Sequence, residues 1–168
     1  TKQIRLGRAR FRASVAPMLM HDAGLAWLHF LFAFVLVGAL SAELFILRLP
    51  IDNRVARLLL RVDLFYGLSS VLLILAGIAR VVWGQSGWDF YSAQPFFWAK
   101  IAMFAVIGAL SIAPTRTFIS WTRSYNADAT FAPPEAQVKG VRRLVMIDAH
   151  LIAALLLFAS FMARGIGS

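Results

Sequence analysis

Four long apolar stretches constrain this chain more than any other feature. They cover residues 24–47, 64–83, 96–119 and 144–162. A helix needs roughly 20 mostly apolar residues to cross the hydrocarbon core of a bilayer, and irregular backbone cannot face lipid. We therefore predict an all-α fold, an integral membrane four-helix bundle whose sequence neighbours are antiparallel, because the connections between the stretches are short.

The composition agrees with a membrane protein and excludes several other classes. Of the 168 residues, 60% are hydrophobic and 15% are charged, whereas a soluble domain carries about 25% charged residues. The absence of Cys excludes disulfides, thiol catalysis, iron–sulfur clusters and thioether-linked haem. We expect a basic N-terminal tail over residues 1–19 and one transmembrane domain over residues 20–168.

Two of the helices are expected to begin before their spans. Asp52 or Asn53 can cap a helix that runs into the second span, and Pro133-Pro134-Glu135 is a favourable helix start before the fourth. In the extension before the second span, Arg54, Arg57 and Arg61 share one helical face. We expect that face to bind anionic lipid headgroups; the alternative is a phosphate-bearing ligand.

The Lys and Arg residues predict the orientation. The loops after the first and third spans are rich in them, so we place these loops in the cytoplasm and both termini outside the inner (cytoplasmic) membrane of a bacterium. The tail at 1–17 is also basic and weighs against this orientation. Since the basic residues flank spans, we expect no nucleic-acid partner.

Ionisable residues inside the spans form two predicted layers. With a rise of about 1.5 Å per residue, His29 and Lys100 lie about 8 Å and about 6 Å inside the same boundary. They could hold haem b or a porphyrin between helices 1 and 3, provided that Lys100 is deprotonated where it serves as an iron ligand. Alternatively, Lys100 reaches the headgroups and His29 forms a hydrogen bond with a neighbouring helix.

The second layer is a polar inner cluster of Glu43, Asp63, Asp148 and His150. His150 differs in depth from His29 by about 13 Å, so one haem iron cannot bind both. Glu43 and His150 could carry protons or form a fixed clasp, and Asp148 is expected to pair with Arg57 or Arg61. We predict no metal site, and the sequence assigns no catalytic residue.

Small residues suggest how the helices pack. The segments VGALS at 37–41 and IGALS at 107–111 nearly match, and such residues allow close helix approach. They predict packing of helix 1 against helix 3. Pro114 is expected to kink helix 3, and the loop GQSGWDFYSAQP is expected to lie on the membrane surface.

Several segments together resemble a known family. FFWAKIAMF, GALSIAPT and FMARGIG, with RVDLFYGLSS and GIARVVWG, are similar to the bacterial membrane family called domain of unknown function 2214, from about Met20 to the C-terminus. The resemblance implies an integral four-helix membrane protein and no established activity.

A fainter likeness is to the small membrane protoporphyrinogen oxidases and the copper-resistance-D-like membrane proteins. It consists of His29 and of Trp98-Ala99-Lys100, which in the oxidases are associated with haem or porphyrin binding. The Pro-Arg-Leu element of that family is replaced here by Leu47-Arg48-Leu49-Pro50. Two functions are expected from these features: haem or porphyrin binding, or a non-catalytic accessory or scaffold subunit of a larger respiratory or photosynthetic complex.

Overall fold

Helices account for nearly all of the structure, a computed structural model that describes residues 2–84 and 87–164. Side chains are described for 19–84, 87–162 and 164, so those of the basic tail lie outside the described residues up to position 18. The helices are α1 (Lys2–Ile46), α2 (Asn53–Trp83), α3 (Gly87–Ser92), α4 (Pro95–Ala127) and α5 (Glu135–Ala163). Four of them, α1, α2, α4 and α5, are long and apolar enough to cross a membrane, as predicted.

The starts of two helices follow from local chemistry. Asp52 caps α2, because its carboxylate accepts a hydrogen bond of 2.7 Å from the amide of Val55. Helix α5 begins at Glu135, directly after two prolines. The surface loop before α4 contains a short helix, α3, which the sequence analysis did not predict. The indole of Trp98 donates a hydrogen bond of 3.0 Å to the carbonyl of Ser92, the last residue of α3.

The four long helices form a closed ring in the order α1, α2, α4, α5. Each contacts its two neighbours in this ring, and among the described residues α1 and α4 do not contact each other. The predicted packing of helix 1 against helix 3 is therefore wrong. No neighbouring atom lies within 4 Å of a Cβ placed on Gly38 or Gly108, so the glycines of the two GALS segments do not support a helix contact.

The core lies along the axis of this ring. Large apolar side chains lie exposed on the outer surface of the ring; Phe34, for example, is 79% exposed. Such a surface suits a bundle surrounded by lipid. The buried apolar residues are Leu36, Leu40, Leu47, Ala56, Leu59, Tyr66, Leu73, Ala76, Ile107, Phe118, Trp121, Tyr125, Val141, Val145 and Ile152. We call the two ends of the bundle the His29 end, which carries α3, and the Glu43 end, which carries loops 47–52 and 128–134.

Aromatic residues join the helices at the Glu43 end. The indole of Trp121 donates a hydrogen bond of 2.7 Å to the side-chain oxygen of Gln137, linking α4 to α5. The hydroxyl of Tyr125 donates to the carbonyl of Ile51, linking α4 to the loop before α2. These contacts hold the helices together at the level where the ionisable core residues begin. Helix α4 runs through Pro114 without interruption.

Candidate functional site: two polar layers in the bundle

Three carboxyl groups lie together inside the bundle near the Glu43 end. Glu43 of α1, Asp63 of α2 and Asp148 of α5 are 2%, 4% and 1% exposed, and we call them the carboxyl cluster. The charges of Asp63 and Asp148 both act on Glu43, and all three act on the buried Tyr66. The sequence predicted a common level for these residues, and the structure brings them together.

Helix α4 completes the cluster with a hydroxyl group. Thr115 Oγ1 lies 2.9 Å from Asp63 Oδ1 and 3.0 Å from the carbonyl oxygen of Ser111. A hydroxyl has one hydrogen to donate, and an ionised carboxylate and a carbonyl are both acceptors. All four spanning helices therefore contribute a polar group to one place in the core.

The cluster has no basic partner within the part of the chain that the structure describes. Glu43 Oε1 and Asp148 Oδ1 are buried without any hydrogen-bond partner. The expected pair between Asp148 and Arg57 or Arg61 does not form, since both arginines are exposed on α2. Burying unpaired carboxylates costs free energy. The chemistry of this cluster therefore depends on whether its carboxyl groups are protonated.

His150 does not belong to the cluster. It is exposed on α5, and its Nδ1 atom lies 2.7 Å from the carbonyl oxygen of Met146, one turn earlier in the same helix. The predicted contact of Glu43 with His150 is thus replaced by one with Asp148. The reason is the rotation of α5: Val141, Val145 and Ile152 lie on the face of Asp148 and turn that face inward.

The second layer lies at the His29 end and contains three basic residues. The half-buried side chains of His29 in α1, Arg80 in α2 and Lys100 in α4 are close enough for the charges of Arg80 and Lys100 to act on His29, and we call them the His29 cluster. The charge of Lys100 acts on its predicted neighbour His29, although their helices are diagonal in the ring. The sequence analysis did not single out Arg80, yet its position three residues from the end of α2 was a signal for this level.

The imidazole of His29 packs against a glycine of α2. A Cβ placed on Gly77 would lie 3.5 Å from Cε1 and 3.7 Å from Nδ1 of the imidazole, and the ring also interacts with the backbone of Leu73, one turn before Gly77. His29 Nδ1 and Arg80 Nε are buried without a hydrogen-bond partner. Among the described residues, these two atoms of the layer have no partner at normal hydrogen-bond geometry.

Neither layer resembles a metal centre. Among the described residues, no group of three or more His, Asp or Glu side chains is arranged to hold a metal ion. The two layers differ in charge: the His29 cluster consists of basic side chains and the carboxyl cluster of acidic ones.

An exposed basic face lies on the outside of α2. Arg54, Arg57 and Arg61, with Leu58, line a shallow groove of about 290 Å³. A second groove of about 200 Å³ continues from Arg61 along Leu64, Phe65 and Leu68. Both grooves face the surroundings of the bundle rather than its core.

Comparison with known proteins supports the fold and leaves the activity open. The family model described as "Predicted membrane protein (DUF2214)" matches residues 21–167, which confirms the family resemblance. No curated protein and no solved structure matches the chain. The match covers nearly the whole chain, including both polar layers, and the protein belongs to the DUF2214 family of predicted membrane proteins.

Proposed function

We propose that the His29 cluster binds haem or a porphyrin at the His29 end of the bundle. The observation that supports this proposal is that His29 Nδ1 is buried without a partner among the described residues, while the charges of Arg80 and Lys100 act on the same ring. A tetrapyrrole combines an apolar ring with carboxylate groups, and an apolar bundle with a basic layer is complementary to both parts.

Each residue of the cluster has a separate role in this proposal. His29 supplies an imidazole nitrogen, a common axial ligand of haem iron. Arg80 and Lys100 would pair with the carboxylates of the bound ring. When bound, haem would supply electron-transfer chemistry. The residues of the chain position the ring and neutralise its charge, and we assign no catalytic step to them.

The visible spectrum of the purified full-length protein tests this proposal. Protein from haem-replete cells should show a Soret band, and His29→Ala should abolish it. Lys100→Gln should weaken binding without abolishing it, because Arg80 still offers one cation. His150→Ala is the matched control, since His150 is exposed and its Nδ1 atom lies 2.7 Å from a carbonyl oxygen of its own helix. A colourless preparation that also fails to bind added haem or protoporphyrin would refute the proposal.

A second candidate function is that of an accessory or scaffold subunit. The observation that favours it is the apolar groove on the outer face of α2, lined by Leu64, Phe65 and Leu68, which could accept a helix of a partner. Purification in mild detergent should then recover the chain in a larger respiratory or photosynthetic complex. Leu68→Trp, which fills the groove, should release it. Recovery of the wild type as a free monomer would argue against this function.

We propose further that the protein resides in the inner membrane of a bacterium with both termini outside and the Glu43 end in the cytoplasm. Arg48 in loop 47–52 and the basic residues of the helices that flank loops 47–52 and 128–134 support this orientation. In that orientation, Arg54, Arg57 and Arg61 face the cytoplasmic leaflet, and we propose that they bind its anionic lipids.

A further inference from the structure

The carboxyl cluster is unused by the proposed tetrapyrrole site, which lies at the other end of the bundle. We propose that Glu43, Asp63 and Asp148 form a proton-binding site that holds at least one proton at neutral pH. This inference does not depend on haem or porphyrin binding. It rests on hydrogen-bond geometry, on burial and on the charges that surround the cluster.

The hydrogen-bond geometry around Thr115 indicates where one proton resides. The hydroxyl lies within hydrogen-bond distance of two acceptors, Asp63 Oδ1 and the carbonyl of Ser111. With one hydrogen, it can donate an unshared hydrogen bond to only one of them. Both contacts are satisfied when Asp63 is protonated and donates to Thr115, which then donates to Ser111. With Asp63 ionised, the single hydroxyl hydrogen would have to be shared between the two acceptors in a bifurcated hydrogen bond.

Burial supports the same conclusion for the other two members. Glu43 is 2% and Asp148 1% exposed, and one oxygen of each is buried without a partner. Glu43 is also close enough for the charges of both aspartates to act on it. A proton shared between two carboxyl groups would satisfy such oxygens, as in other sites where like charges meet.

The described residues of the helices that surround the cluster provide no positive charge to replace the proton. Facing it are Glu43 from α1, Asp63 and Tyr66 from α2, and Asp148 from α5. Helix α4 contributes Thr115, which does not titrate. The nearest basic residues by sequence, Arg61 and His150, are exposed on the outer surfaces of α2 and α5. The described part of the chain also has no group arranged to hold a metal ion.

Proton binding at this position would couple charge to helix packing. The three acids come from three different helices, so loss of the shared proton would place like charges between α1, α2 and α5. Because the folded bundle binds a proton that the separated helices release at neutral pH, its stability should fall as pH rises. The cluster would thus serve as a proton-loading site whose charge state favours or opposes a closed bundle.

Infrared spectroscopy of the full-length protein in lipid bilayers tests this inference. The wild type at neutral pH should show a carboxylic-acid C=O band that shifts in D₂O. Glu43→Gln, Asp63→Asn and Asp148→Asn should reduce or remove it. Asp128→Asn is the control, because a hydrogen bond from the Thr130 side chain holds the pKa of this exposed carboxyl below its usual range, so that it stays ionised.

Thr115→Val provides a test that leaves every acid in place, should the acid variants fail to fold. It should shift the frequency of the acid band without abolishing it, because the hydrogen bond to Asp63 is lost. Thr117→Val is the matched control on the same helix, since the exposed Thr117 hydroxyl bonds only to the carbonyl of Ala113. An unchanged band in Thr115→Val would contradict the assignment of a proton to Asp63.

Two outcomes would overturn the proposal as a whole. One is a wild-type protein without an acid band at neutral pH. The other is an acid band that appears only after Na⁺ and K⁺ are removed, which would identify the site as one for a monovalent cation. Thermal unfolding supplies an independent measure: the unfolding temperature of the wild type should fall as pH rises from about 5 to about 9, and Glu43→Gln should reduce this slope.

Discussion

The imidazole of His29 rests on Gly77 of the neighbouring helix, with Cε1 3.5 Å and Nδ1 3.7 Å from the position that a Cβ would take. This relationship joins α1 to α2 at the level of Arg80 and Lys100. It also explains why a small residue stands at this point of α2. A side chain that extends beyond Cβ at position 77 would occupy the space of the imidazole ring, because Cβ itself would already be in van der Waals contact with it.

Gly77→Ala should be tolerated, because its methyl group would make ordinary van der Waals contact with the ring. Gly77→Leu should displace His29 and destabilise the bundle by about 1–3 kcal/mol, as overpacking commonly does. Gly67→Leu is the control on the same helix, where a Cβ meets no atom within 4 Å. Thermal unfolding of the three variants measures the difference, and equal loss in Gly67→Leu and Gly77→Leu would contradict this account.

Trp121 should contribute more to stability than any exposed tryptophan. It is 1% exposed, and its indole donates to Gln137 at 2.7 Å. Trp121→Phe would leave a cavity and remove the hydrogen bond between α4 and α5, so we expect a loss of about 2 kcal/mol. Trp98→Phe also removes an indole hydrogen bond, but Trp98 is 50% exposed, and we expect a loss below about 1 kcal/mol. Chemical unfolding in detergent compares the two, and similar losses would show that burial is not decisive.

The sequence could predict the spans and the depth of each polar residue, because both follow from counting along a helix. It could not predict which helices are neighbours. In lipid, outward positions are as apolar as buried ones, so the periodicity that identifies the inner face of a soluble helix is weak. The prediction from the GALS segments that helices 1 and 3 pack together was wrong for this reason, since Gly38 and Gly108 lie on outer surfaces.

The sequence contained a signal that Asp148, rather than His150, faces the core of the bundle. The two residues are about 200° apart on α5, so only one can face the core. Val141, Val145 and Ile152 share the face of Asp148 and are buried, and their β-branched stripe pointed to it. The interaction of Thr115 with Asp63 had no such signal, because it joins residues from two helices whose adjacency the sequence does not encode.

The basic groove on α2 should bind anionic lipid rather than a soluble phosphate. Arg54, Arg57 and Arg61 line it together with Leu58, and the adjoining apolar groove could hold part of an acyl chain. In bilayers containing phosphatidylglycerol, the unfolding temperature should exceed that in phosphatidylcholine alone. The Arg54→Gln, Arg57→Gln and Arg61→Gln triple variant should lose most of this difference.

Inorganic phosphate provides the discriminating control for that groove. It lacks an acyl chain, so it should not reproduce the stabilisation in phosphatidylcholine bilayers. Stabilisation by phosphate alone would identify a site for a soluble anion. An equal response of the triple variant and the wild type to phosphatidylglycerol would place the lipid contact elsewhere on the bundle.

The orientation can be tested with single cysteines, because the chain contains none. Ala93 lies in the loop at the His29 end and Ala129 in the loop at the Glu43 end, and both are exposed. A thiol reagent that does not cross membranes should label Ala93→Cys in spheroplasts and Ala129→Cys only after lysis. The reverse pattern would mean that the basic tail, rather than the loops, determines the orientation. It would also place the carboxyl cluster nearer the outer surface, so that its proton exchanges with the external medium.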